Sequence, residues 1–452
     1  MRIEKIISAA AALLTLCSCS VFREYKRPDL PQLDSLYTLA GQSDTLNLAD
    51  LSWSEFFTDP CLQSLIRTGL ENNNDLQQAA LKLTEAEAAL KSARFAFFPT
   101  LGVKPSFAWE NADRYNGDAF SYAIQPAVSW EADINGRLLN NKRIAFSDKE
   151  AAELWERSVR TELVCSIASC YYTLLMLDAQ MDISTRTSQT WKENVRIMKA
   201  MKDAGMTNEA SVAQTEANSC SIEASLCDLE QKILETEHTM SVLLGVATKG
   251  ITRTRMSESS IESDILTGVP AQLLSRRPDV MRAEANLKKA FYNTNLAHSA
   301  FYPSLTLTGD FGWEKALTSP AGWAFGAATS MVAPIINGRR NRSNLEIAKA
   351  REAEAFSAFR QALLVAGKEV NDALARCHNA QSKTDIRVRQ IEALEKAVDS
   401  TQKLMRHSES TYLEVLTAQQ SLLSAQLQQI SDNYEALSGM VSLYRALGGG
   451  SK

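Results

Sequence analysis

Cys19 has the sequence context of a cysteine that receives lipid. Residues 16–18 read Leu-Cys-Ser and closely match the lipobox, in which a leucine, any residue and a small residue precede the modified cysteine. A charged start and an apolar run over residues 6–16 form a secretory signal that is too short to span a bilayer. Cys17 is the poorer candidate because a bulky leucine precedes it. We therefore expect residues 1–18 to be a lipoprotein signal peptide; the alternative is an ordinary secreted protein with an incidental cysteine.

The remaining cysteines and the histidines predict neither disulfides nor a metal site. Cys165 and Cys170 fall in a helical pattern about 140° apart around the axis, while Cys220 and Cys227 share a helix face about 10 Å apart. Neither separation permits a disulfide. We expect these four residues to be small buried hydrophobes. The four histidines have no metal-ligand spacing.

The composition argues against an enzyme and against a nucleic-acid partner. The sequence has no phosphate-binding glycine loop, nucleophile elbow or metal cluster, so we expect neither catalysis nor a cofactor. A net charge of −5 is the wrong sign for nucleic acid. Beyond the signal, no stretch approaches the roughly 20 apolar residues of a spanning helix. If the chain crosses a membrane, it must therefore do so with β-strands.

The chain contains an internal repeat. Four short segments recur in one order at an offset of about 203 residues: 97–101 with 301–305, 107–109 with 311–313, 134–137 with 336–339, and 244–245 with 447–448. We predict two copies of one unit over residues 61–260 and 261–452, preceded by a lipidated linker over 19–60. Each unit has the predicted order helix, two strands, long helix and return helix, and the first helix covers about 62–96.

Four segments have the alternating pattern of β-strands, over about 100–110, 119–131, 303–314 and 322–333. Strands of about ten residues with aromatic side chains near their ends are typical of outer-membrane barrels. A soluble hairpin that covers a core is the alternative. Because four strands cannot close a barrel and lipid tolerates no open sheet edge, the protomer must oligomerise. Three chains would supply twelve strands, and two or four chains remain open.

Two stretches are long enough for helices of about 100 Å. No proline or glycine interrupts the chain between about Gly136 and Asp203, and one glycine interrupts it between about Arg339 and Arg406. Periodic segments of this length indicate a coiled coil. With shorter return helices over about 208–244 and 412–447, they predict a helical tube. The predicted fold class is mainly α with a transmembrane β part.

Arg276 and Arg277 stand directly before Pro278, and Asp279 is a candidate N-cap for the following helix. We interpret these four residues as a structural motif that closes the link between the two repeats.

Several motifs together resemble one known family. Residues 269–284 read VPAQLLSRRPDVMRAE, and the other motifs are WSEFFTDP over 53–60, the Phe-aromatic-Pro element at Phe97 and Phe301, and ALGGG over 446–450. The chain resembles the outer-membrane factor family of the TolC/OprM type, in particular the lipoprotein branch of tripartite RND efflux systems. The resemblance covers nearly the whole mature chain.

The resemblance implies a homotrimer with a twelve-stranded outer-membrane β-barrel and a long α-helical periplasmic barrel. Its implied partners are outer-membrane lipid, a periplasmic adaptor (membrane fusion protein) and an inner-membrane RND pump, with no nucleic acid. Such a channel passively conducts drugs or other toxic small molecules and needs no cofactor or resident metal. The alternatives are a duct for type I protein secretion and a periplasmic coiled-coil lipoprotein scaffold without a pore.

The resemblance also implies a periplasmic gate early in the last helix. Leu413 matches the apolar ring of the family, Glu414 matches an acidic position, and Tyr412 belongs to the same gate segment. Thr417 stands where relatives commonly have aspartate, which leaves a second acidic ring and its cation binding in doubt. A solvated glutamate on a helix face is the alternative for Glu414.

Adaptors in the family contact the tips of the helical hairpins. Ala204, Gly205 and Met206 resemble the first tip motif, and Gly205 is expected to supply a positive φ for the turn. At the second tip, Ser408 replaces the usual glycine and Glu409 follows it. We expect a different turn there and a modified adaptor contact.

Overall fold

The computed structural model describes residues 24–28, 52–112, 117–247, 250–256, 277–315, 322–332, 338–406 and 412–449. The predicted sites at Cys19, Arg276, Ser408 and Glu409 lie outside these ranges. In chain order the elements are α1 (Trp53–Phe56), α2 (Pro60–Asn72), α3 (Asn74–Phe95), β1 (Thr100–Ala112), β2 (Gly117–Ala132), α4 (Arg137–Asp203), α5 (Glu209–Leu244), α6 (Pro278–Ser299), β3 (Ser304–Lys315), β4 (Gly322–Val332), α7 (Gly338–Arg406) and α8 (Tyr412–Ala446).

The four strands form one antiparallel sheet in the order β1-β2-β3-β4. Its register pairs Phe311 with Phe325 and Trp313 with Trp323, and the rings of these pairs lie 6.4 Å and 5.8 Å apart between centroids. All four of these aromatic side chains are exposed in the single chain. An apolar sheet surface of this kind needs a partner or a lipid environment.

The predicted first helix is wrong in one respect, because it breaks at Asn73 into α2 and α3. The Asn73 side chain accepts a hydrogen bond from Leu76 N at 3.0 Å and donates one to Leu243 O at 2.9 Å. Gly245, at φ +67°, ends α5 so close to the break that a Cβ there would lie 2.3 Å from Asn72 O. The end of the return helix α5 therefore packs against the break between α2 and α3.

The chain divides into two compact units, Met1–Leu30, Leu81–Leu154 and Met281–Ala362 in one, and Pro31–Ala80, Trp155–Val280 and Leu363–Lys452 in the other. The first unit contains the sheet. The second contains the largest fully buried side chains, including Trp191, Tyr171 and Tyr444. Each unit takes segments from both predicted repeats.

Two expectations about apolar residues need correction. An 18-residue window within α4 has a mean hydropathy of 1.2 and is 56% buried, so one helix does reach the composition of a membrane span, as buried core helices also do. Cys165 and Cys170 are buried as expected, whereas Cys220 and Cys227 are exposed on α5. Residue type alone does not reveal which face of a helix is covered.

Asp59 joins three parts of the second unit. Its carboxylate accepts hydrogen bonds from Cys61 N at 2.8 Å, which caps α2, from Tyr171 Oη at 2.7 Å and from Thr254 Oγ1 at 2.6 Å. Burial opposes the charge, but these donors outweigh it and hold the pKa of Asp59 below its usual value. Burial also raises the pKa of Tyr171 to about 12.

We predict that Asp59→Ala lowers the free energy of unfolding by about 2–4 kcal/mol, since it removes a helix cap and the charged acceptor that the hydroxyls of Tyr171 and Thr254 share. Because the folded pKa lies below the unfolded value of about 3.9, this contribution is present above that pH and is lost as the pH falls through the folded pKa. Thermal unfolding in detergent, followed by circular dichroism across pH, measures it.

Asp228→Ala is the matched control, since Asp228 is exposed in the middle of α5. Equal losses in the two variants, or a loss in Asp59→Ala that does not shrink at low pH, would contradict the role given to Asp59.

Candidate functional site

The turn between α4 and α5 is fixed by backbone geometry at Gly205. This residue has φ +74°, and its N–H donates to Lys202 O at 2.9 Å while Met206 N donates to Met201 O at 2.8 Å. This pair of bonds is a Schellman motif, which requires a left-handed residue. No atom lies within 4 Å of a Cβ built at Gly205, so the requirement comes from the backbone alone. Asn208 then caps α5 by accepting from Ser211 N at 2.9 Å.

Charged pairs join the two arms of this hairpin. Lys192 pairs with Glu223 at 3.2 Å and Lys199 pairs with Glu216 at 2.6 Å. Lys202, one turn nearer the tip, pairs with Glu209. Exposed pairs contribute little individually, so they align the arms more than they stabilise them. The turn itself presents Met206, whose side chain is 70% exposed.

The first turn of α8 contains two exposed residues followed by two buried ones. Leu413 is 65% exposed and Glu414 is exposed, whereas the next two residues, Val415 and Leu416, are buried. Tyr412 is half-buried, and burial raises the pKa of its hydroxyl. An apolar side chain and a carboxylate thus stand together at the start of this helix.

Thr417 does not replace the carboxylate that is common at its position. Its hydroxyl donates to Leu413 O at 2.9 Å, one turn earlier in α8. A threonine bonded back to its own helix offers no charge and little free donor capacity. Within the described ranges, no three His, Cys, Asp or Glu side chains come together as a metal site needs.

Arg277, which is buried, is the centre of an ionic cluster whose two carboxylates are partly exposed. Its guanidinium donates to both carboxylate oxygens of Asp279 at 3.0 and 2.8 Å, to Glu369 Oε2 at 2.6 Å and to Ala446 O at 2.9 Å. Burial alone would lower the pKa of Arg277, but the hydrogen bonds to the two carboxylates outweigh this effect and raise it. No local sequence pattern connects Glu369 or the carbonyl end of α8 to Arg277, so neither partner was predicted.

Asp279 is not an N-cap, which corrects that expectation. The helix α6 begins at Pro278, so Asp279 lies in its first turn, where a carboxylate is favoured by the helix dipole. Gly448, at φ +76°, ends α8 beside Arg277, and a Cβ there would lie 3.5 Å from the Arg277 Cα. The Thr161 hydroxyl then donates to Gly449 O at 3.0 Å. The motif thereby fixes the end of the last helix.

Comparisons with known proteins agree on one family. The family described as outer membrane efflux protein matches residues 65–246 and 269–449. The cation efflux system protein CusC of Escherichia coli O6:H1 is 29% identical over 452 residues, covering 97% of each chain. The probable outer membrane lipoprotein SilC of Salmonella typhimurium is 26% identical, covering 99% of this chain and 98% of its own.

The fold also matches a solved structure. A crystal structure of CusC, described in terms of folding and transmembrane channel formation, superposes with a TM-score of 0.83 at 28% identity. The match covers 96% of this chain and 100% of that chain. The similarity therefore extends over both predicted repeats.

We predict that Arg277→Gln lowers the free energy of unfolding by about 1–3 kcal/mol, because it removes hydrogen bonds to two partly exposed carboxylates and to a carbonyl at the end of α8. The readout is the midpoint of thermal unfolding together with protease resistance of the C-terminal residues. Arg282→Gln, on the exposed side of α6, is the control. If the two variants unfold alike, the cluster does not stabilise the end of α8.

Proposed function

We propose, since the chain belongs to the outer membrane efflux protein family, that it is the exit channel of a tripartite efflux pump. The chain is an outer-membrane transport protein and not an enzyme. In this proposal it passively conducts toxic small molecules to the exterior from an inner-membrane RND transporter and a periplasmic adaptor. The observation that carries the proposal is an exposed apolar sheet joined to helices of 67 and 69 residues.

The sheet supports a pore built by several chains. Its strands contain 13, 16, 12 and 11 residues, enough to cross an outer membrane at a tilt. Strands β1 and β4 are its two edges, and lipid leaves unpaired edge groups without partners. Three chains would close a twelve-stranded barrel, so we propose a homotrimer with the repeats at 61–260 and 261–452.

The long helices supply the reach into the periplasm. At 1.5 Å per residue, α4 and α7 each extend about 100 Å. Their far ends adjoin the turn at Gly205 and the start of α8. We propose that residues Ala204, Gly205 and Met206, with Ser408 and Glu409, contact the adaptor.

The start of α8 is the proposed periplasmic gate. In a closed ring of three chains, exposed Leu413 would exclude water, and three Glu414 carboxylates would concentrate negative potential in a narrow mouth. Tyr412, which is half-buried, lies in the same first turn of α8. Because Thr417 adds no charge, we propose one acidic ring rather than two.

We predict that the purified protein forms small, fluctuating conductances in planar bilayers, and that the double variant Leu413→Ala, Glu414→Ala raises the conductance several-fold by removing the apolar and charged ring. Met206→Ala, which truncates an equally exposed side chain at the other hairpin, is the control. Absence of any pore in the double variant would overturn the channel, and an equal rise in Met206→Ala would overturn the gate.

The proposed lipid anchor is Cys19, after cleavage of the signal over residues 1–18. The similarity to a protein named as a probable outer membrane lipoprotein supports it. We predict that Cys19→Ser abolishes incorporation of labelled palmitate and leaves the signal uncleaved, because lipid attachment precedes cleavage at a lipobox. Cys17→Ser is the control and keeps the label. Loss of label in Cys17→Ser alone would instead place the anchor at Cys17.

A further inference from the structure

Basic side chains gather where the sheet meets the helices in the first unit. We call Arg94 at the end of α3, Lys142 near the start of α4, and Arg339, Arg340 and Arg342 at the start of α7 the basic collar. Each lies within about ten residues of a strand end, on the side opposite the β1–β2 and β3–β4 connections. The collar therefore marks one boundary of the sheet.

Two carboxylates near the collar, at the end of β2 and just after it, are already engaged; Glu346 also lies near the collar, four residues after Arg342 in α7. Glu131, the second-last residue of β2, forms an ion pair with Arg137. Asp133 accepts hydrogen bonds from Leu138 N at 2.9 Å and Leu139 N at 2.8 Å, and so caps α4. Neither acid is left to neutralise the arginines of α7.

The positions of Arg339 and Arg340 are unfavourable for their own helix. Both lie in the first turn of α7, which contains no acidic residue, and the positive end of the helix dipole repels cations there. Both are exposed, and neither forms an ion pair with any residue that the structure describes. An external anion would relieve this repulsion.

The collar continues into a cavity between α6 and α7. Arg342, Lys349 and Phe356 are spaced by seven residues and so share one face of α7. Lys349 and Phe356 line a cavity of about 720 Å³, together with His298 at the end of α6, Tyr302 before β3, and the carboxylate of Glu352 in α7. The amide of Asn341 donates to Ala300 O at 2.8 Å and holds α7 beside the segment that leads into β3. Basic side chains and aromatic rings thus line this cavity, with one carboxylate among them.

We propose that the basic collar and the adjoining cavity bind the phosphate headgroup of an anionic phospholipid in the inner leaflet of the outer membrane. The charge is complementary, the site lies at the end of the apolar strands, and the aromatic rings suit the boundary between water and acyl chains. This inference rests on the proposed membrane-spanning sheet. If the site exists, the periplasmic edge of that sheet prefers anionic headgroups, in addition to the preference of the strands for acyl chains.

The test is native mass spectrometry of the full-length lipidated protein in uncharged detergent, titrated with phosphatidylglycerol or with phosphatidylcholine. We expect tighter binding of phosphatidylglycerol that weakens as salt is added. The triple variant Arg339→Gln, Arg340→Gln, Arg342→Gln is expected to lose on the order of a hundredfold of this preference, since each basic residue near an anionic surface contributes about fivefold.

Two control variants isolate charge at this place. The triple variant Arg376→Gln, Arg389→Gln, Lys396→Gln removes three exposed cations from a later part of α7 and is expected to keep the preference. Replacing Arg339, Arg340 and Arg342 by lysines keeps the charge and is also expected to keep the lipid preference. Loss of preference in either control would overturn the site.

The remaining outcomes also decide the question. Equal affinity of the unaltered protein for the two lipids overturns the proposal. An unchanged lipid preference with an altered oligomeric state in the glutamine variant would show that a second copy of the chain covers the collar. A parallel insertion assay uses vesicles of phosphatidylcholine alone: insertion without a lipid preference removes only this inference, whereas failure to insert in any lipid removes the proposed channel with it.

Discussion

A strand in lipid has no water to satisfy its backbone, and under the proposed function this constraint governs the rest of the molecule. The sheet β1-β2-β3-β4 has an edge on each side, and its aromatic rings are exposed in the single chain. In the proposed membrane setting, one polypeptide cannot complete such a sheet. Under the proposed function, identical neighbouring chains close the sheet, so the pore belongs to the assembly and not to one chain. The helices then follow the same rotational symmetry.

The repeating pattern of the sequence located the regular elements, because each depends on local spacing. Alternation marks the strands, and the absence of proline and glycine marks α4 and α7. Two of the corrections depend on tertiary contacts. The break at Asn73 depends on Leu243, far along the chain, and the exposure of Cys220 and Cys227 depends on which neighbours cover α5. Sequence spacing contains no information about such partners.

The candidate sites divide in the same way. Because glycine readily adopts a positive φ, Gly205 predicted the turn at the first tip from residue type alone. Arg277 is different, because Asp279 is near it in sequence whereas Glu369 and the end of α8 come from two distant segments. The motif contained Asp279 but gave no sign of the other two partners. The gate residues at the start of α8 remain a prediction, with outward Leu413 and Glu414 compatible with it.

The cysteines differ sharply in their chemistry. Burial raises the pKa of Cys165 to about 12 and that of Cys170 to about 11, so neither forms the reactive thiolate near neutral pH. Cys220 and Cys227 are exposed on one face of α5 and are free. The return helix thus carries two natural attachment points for spectroscopic probes. In an oxidising compartment, these exposed thiols on α5 would be oxidised before the buried ones.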